Sequence, residues 1–105
     1  MPKRWTETDL SVSPPSFQIG DTSVEAFVFD AQQAVTAATV VLTNVATGAV
    51  IAAGVSVVLA TPLVTVTVNA PTAGLVRGEI YELEVTWTNS AGRKWPRTLV
   101  LECVA

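Results

Sequence analysis

The chain has 105 residues, 50% of them hydrophobic and only 14% charged, with a net charge of −3 and a pI near 4.6. A domain of this size buries about two thirds of the surface its unfolded chain exposes, enough for one core. The acidic balance excludes a protein that binds nucleic acid by neutralising phosphates, and a single cysteine, Cys103, excludes an internal disulfide and a cysteine-built metal cage.

Residues 1–16 combine charge, Trp5 and the Pro14-Pro15 pair, and read as an extended N-terminal arm preceding a domain over 17–105. The opening Met1-Pro2-Lys3-Arg4-Trp5 leads into polar residues, not an apolar run with a small-residue cleavage site. No secretory signal is expected, and synthesis in a cytoplasm follows. Residues 23–29 are rich in β-branched and aromatic side chains and form the first expected strand, closed by the polar Asp30-Ala31-Gln32-Gln33. A second strand is expected over 39–45, with Ala46-Thr47-Gly48 turning the chain back through 49–53 as a hairpin. Residues 55–59 either continue that element or form a separate strand, with Gly54 at a bulge or bend.

Alternation of valine and threonine over 63–69 puts Val64, Val66 and Val68 on one face and Thr65 and Thr67 on the other. The same period over 79–88 sends Tyr81, Leu83, Val85 and Trp87 inward and Glu82, Glu84, Thr86 and Thr88 outward. Ser90-Ala91-Gly92 suits a three-residue hairpin loop ending on a left-handed glycine. That loop predicts a register with Trp87 beside Trp95, Leu83 beside Leu99 and Tyr81 beside Leu101. Val85 then falls opposite Arg97, a conflict that a distortion at Pro96 would relieve. The whole pattern is all-β: a sandwich of about seven strands.

Leu75, Gly78 and Tyr81 resemble the tyrosine corner of immunoglobulin-like and fibronectin type III domains, in which a leucine and a glycine precede the tyrosine opening the penultimate strand. The phenol ring is expected to be buried, with its hydroxyl on a nearby backbone group. With Leu83, Val85 and Trp87 these residues define the fold and carry no chemistry.

Chemistry is sparse. The chain has no histidine, so a Ser-His-Asp arrangement and most zinc sites are excluded. Glu82 and Glu84 read as solvated charge, Asp21, Glu25 and Asp30 match no calcium loop, and Cys103 reads as a small buried hydrophobe. No catalytic residue, cofactor or metal site is expected. The most apolar stretch, 49–60, is interrupted by Gly54 and Ser56 and falls short of the roughly 20 residues that span a bilayer. Two features point to binding. Arg93, Lys94 and Arg97 surround Trp95 near the last hairpin, and with Trp5 form the candidate interface, since tryptophan and arginine are enriched at binding hot spots. Residues 31–76 hold no Lys, Arg, Asp or Glu over 46 positions, although edge strands of free monomers are ordinarily guarded by charge.

The short tryptophan-bearing arm, the uncharged Thr- and Val-rich middle, Gly78-Glu79-Ile80-Tyr81, Thr88-Asn89-Ser90-Ala91-Gly92-Arg93 and the closing strand are together similar to small tailed-bacteriophage proteins, the fiber-tail adaptors and related head-tail neck components. The resemblance covers most of the chain. It implies a non-enzymatic virion protein in multiple symmetric copies, made in the host cytoplasm and joining portal, neck, tail, fiber or capsid subunits, with neither nucleic acid nor membrane as partner. A capsid decoration (cement) protein and a carbohydrate-binding adhesive module are the alternatives.

Overall fold

The computed structural model describes residues 3–6 and 15–104. Nine strands follow in chain order: β1 (Lys3–Thr6), β2 (Ser16–Gly20), β3 (Val24–Asp30), β4 (Val35–Asn44), β5 (Val50–Ile51), β6 (Val55–Ala60), β7 (Leu63–Asn69), β8 (Ile80–Asn89) and β9 (Lys94–Val104), with one helical turn, α1 (Ala70–Ala73), after β7. They form two packed sheets, ordered β1-β3-β7-β6 and β2-β9-β8-β4-β5. The protein is an all-β, immunoglobulin-like sandwich.

The core follows from the period-2 patterns. Val64, Val66 and Val68 of β7 face Phe27 and Phe29 of β3 within the first sheet, and all five are buried. In the second sheet Leu42, Tyr81, Leu83, Val85, Trp87, Leu99, Leu101 and Cys103 supply the opposing layer, and no charged or polar residue other than the tyrosine and tryptophan enters it. The β8–β9 register is the expected one, with Trp87 against Trp95, Leu83 against Leu99, Tyr81 against Leu101 and Val85 against Arg97. Gly92 closes the hairpin with φ 83°, its N–H donating to the Asn89 carbonyl at 3.0 Å.

The conflict at Arg97 is resolved without the distortion expected at Pro96. The ladder runs through Thr86 and Pro96 with no shift. Asn89 N–H donates to the Arg93 carbonyl, so 87/95 and 85/97 are the hydrogen-bonded pairs and 86/96 is not. The missing N–H of Pro96 therefore falls on the outer side of β9, beyond the Val100–Val104 span that β2 covers. Arg97 stays in register, half-buried, and donates from Nη1 to the Pro96 carbonyl at 2.8 Å.

The expected strands are all present, and 55–59 proves to be a separate strand. Gly54 turns the chain at φ 73°, and β6 then pairs with β7 in the sheet opposite β5. Two strands lie in or beside the expected arm. β1 pairs parallel with β3, Trp5 standing at the level of Phe29, and β2 pairs parallel with β9. Residues 1, 2 and 7–14 of that arm lie outside the described residues. The helical turn was also unforeseen: Asn69 Oδ1 accepts from Thr72 N–H at 3.1 Å, Pro71 sits in the first turn and Gly74 ends it at φ 71°.

Candidate interaction surface

Leu75 and Tyr81 are buried, Gly78 adopts φ 90°, and Val76 N–H donates to the Tyr81 hydroxyl at 2.9 Å. The tyrosine corner is thus formed by Leu75, Gly78 and Tyr81 as their spacing implies. Two further bonds lock the crossover to β9: Gly78 N–H to the Cys103 carbonyl and Cys103 N–H to the Glu79 carbonyl, at 2.8 and 3.0 Å. Replacing Tyr81 with phenylalanine keeps the ring and strands the Val76 N–H. We expect a loss of about 1–2 kcal/mol in urea unfolding with an unchanged m-value.

The basic hairpin end divides between two faces. Trp95 points inward with Trp87, half-buried, and two guanidinium carbons lie over its ring, Arg93 at 5.1 Å and Arg97 at 5.6 Å from the centroid. Lys94 belongs to the opposite, outer face and is exposed. Arg93, Trp95 and Arg97 are brought together, and Lys94 stands apart from them. For Trp5 only the backbone pairing is described; its side chain lies outside the described residues.

The remaining titratable groups do not converge. Asp21 pairs with Arg77 at 3.1 Å across the sandwich end, and Asp30 Oδ1 accepts the Gln32 N–H at 2.9 Å. Among the described residues no three acidic or cysteine side chains gather where a metal could sit. Cys103 is buried, and desolvation pushes its thiol pKa up, with Asp21 adding to the rise and Arg77 opposing it. A more weakly acidic, enclosed thiol is a poor nucleophile. Among the described residues no helix is long and apolar enough to cross a membrane.

The uncharged residues 31–76 build one flank of the sandwich, β4 to β7, where β4 and β6 lie side by side from opposite sheets. Both present an open edge. Asn69 N–H donates to the Gly54 carbonyl at 2.8 Å, which sets the alternation along β6: residues 54, 56, 58 and 60 bond to β7, while Val55, Val57 and Leu59 turn their backbone groups outward. On β4, β5 covers only Leu42 and Thr43, leaving Ala38 and Val40 directed to the open side. Val58 and Leu59 are exposed beside them. No lysine, proline or bulge guards β6, in contrast to the Pro96 edge of β9.

Sequence reasoning missed how charge is shared between the two outer faces. The outer face of the β1-β3-β7-β6 sheet shows Ala26, Val28, Ser56, Val58, Thr65 and Thr67 across its three long strands, with a charge only at the end of β3, at Asp30. That of the other sheet carries Glu82, Glu84, Glu102 and Lys94. The signal was available in the alternation of β8 and β9, once the hairpin register placed both strands on a common face. No protein-family model matches the sequence, and no curated protein matches it either.

Proposed function

We propose that this chain is a non-enzymatic structural component of a tailed-phage virion, an adaptor that joins neck, tail or fiber subunits through protein–protein contacts. The observation that carries this reading is the uncharged flank with its two open edges, on β4 and β6. An exposed edge strand is a template for pairing with another chain, and neighbouring subunits that cover it turn a liability into a joint. The resemblance in the arm and in the tyrosine-corner strand supports the same reading. The mechanism is passive: edges and arm bury area against adjacent subunits, and symmetric repetition multiplies each weak contact.

The test is to purify tailed-phage particles from cells that produce this protein, identify its peptides by mass spectrometry and locate it by image reconstruction. Density at the neck or at the tail–fiber junction is the expected result. Density on the outside of the shell would replace the adaptor with a cement protein, and absence from the particle would sink the virion reading altogether.

A further inference from the structure

The outer face of the β2-β9-β8-β4-β5 sheet has a polarity along its strands. At one end stand four exposed aliphatics, Val41 (41%), Val45 (57%), Val50 (68%) and Ile80 (45%), half of all the large hydrophobic residues exposed among the described residues. The ladders place them on one surface: Val41 pairs with Glu84, Val50 with Thr43 and through it Glu82, and Val45 N–H donates to the Ile80 carbonyl. Glu82, Glu84 and Glu102 border this patch. At the other end the face carries Lys94 with Thr88, Ala37 and Pro96. Lys94 and Glu102 are eight residues apart on β9, about 27 Å, and Lys94 and Glu82 are about 20 Å apart, so neither pair can meet within one molecule. Lys94, Glu82, Glu84 and Glu102 make no ion pair with any described residue.

We infer that this face binds a second copy of the chain, in an antiparallel twofold dimer that lays the basic end of each copy over the acidic, aliphatic end of the other. The face is its own complement. An apolar patch bordered by carboxylates calls for a cation on an apolar stem, and Lys94 supplies one. A twofold axis between the facing sheets, crossing the strands between the levels of Thr86 and Glu84, achieves this. It sets Lys94 toward the partner copy's acidic end twice over, and faces each Glu84 with a threonine instead of with its own counterpart. Beside the axis Thr39 faces the level of Val41 and Thr98 that of Pro96, so no like charges meet there. Four strands about 4.8 Å apart and some 27 Å long give a footprint of about 500 Å². That is below the roughly 800 Å² per partner of a standard interface, so the dimer is weak and concentration-dependent. The inference is independent of the virion reading, since a dimer of this kind forms with or without a particle.

Sedimentation velocity from micromolar to millimolar protein is expected to show a monomer–dimer equilibrium. Lys94→Glu alone, and Glu82→Lys with Glu102→Lys, each place like charges together twice in a homodimer and should raise the dissociation constant at least about tenfold. An equimolar mixture of the two variants restores opposite charges at both contacts and should recover association, which also shows that both are folded. On the unmodified protein, a zero-length carbodiimide should join Lys94 to Glu82 or Glu102 between copies. A monomer at every concentration overturns the inference. So does a dimer indifferent to the charge reversals, which would return the contact to the β4 and β6 edges, and so does a cross-linked dimer that lacks the Lys94 products.

Discussion

Trp87→Ala is expected to destabilise the protein by about 4 kcal/mol, enough to leave it largely unfolded at 37 °C if its total stability lies at the lower end of the usual 5–15 kcal/mol. Trp87 is the largest fully buried side chain among the described residues, and it sits where the two sheets meet, its ring 6.5 Å from that of Phe29 in the opposite sheet and its backbone paired with Trp95 and Ala38 on either side. The neighbouring strands are held by continuous ladders and cannot close over the space an alanine would leave. The cost is therefore the lost transfer energy of the indole together with a cavity. Urea unfolding followed by far-UV circular dichroism measures it. Thr86→Ala, one residue away on the outer face, should stay within about 0.5 kcal/mol of the parent. A loss below about 2 kcal/mol for Trp87→Ala would mean that the two layers are not packed through this ring.

Gly54→Ala should cost about 3 kcal/mol, and Gly48→Ala about 1 kcal/mol, although the two glycines have nearly the same backbone conformation, φ 73° and 74°. The difference is space. A Cβ on Gly48 meets nothing within 4 Å. On Gly54 it would lie 2.7 Å from the Ala73 nitrogen and 2.8 Å from the Asn69 oxygen, both backbone atoms at the two ends of α1. Those atoms are fixed by the Asn69 cap and by the Asn69–Gly54 hydrogen bond itself, so the strain cannot be relieved by rotating a side chain. Thermal melts of the two variants side by side separate the conformational term, common to both, from the steric one. Equal shifts would show that α1 gives way easily.

The sequence displayed most of the sandwich because its later strands are half-buried and strictly alternating. In β7 and β8 the inward residues up to Trp87 are apolar and the outward ones are Thr, Glu or Asn apart from Leu63 and the exposed Ile80, and the Asn89–Gly92 turn fixed the β9 register to the residue. The tyrosine corner was legible for a related reason, since its three residues lie within seven positions and act locally. β2 was not legible. Ser16-Phe17-Gln18-Ile19-Gly20 is five residues long, and its partner stands more than eighty positions away on β9. A parallel pairing of that kind leaves no turn to announce it. The candidate surface was half visible: the neutral run of residues could be counted, but which edges it leaves open depends on β5 being only two residues long. Nor could composition alone show that the glutamates and Lys94 share one face, because that requires the register of β8 against β9.

The parallel joining of β2 to β9 also orders events during synthesis. β9 is the last strand in the described chain to leave the ribosome, so β2 must wait, its outer ladder unformed, while β3 to β8 are translated and paired. Contacts of such long sequence separation make closure of the second sheet a late, slow step. For that interval the nascent sandwich exposes the strip that β2 and β9 later seal.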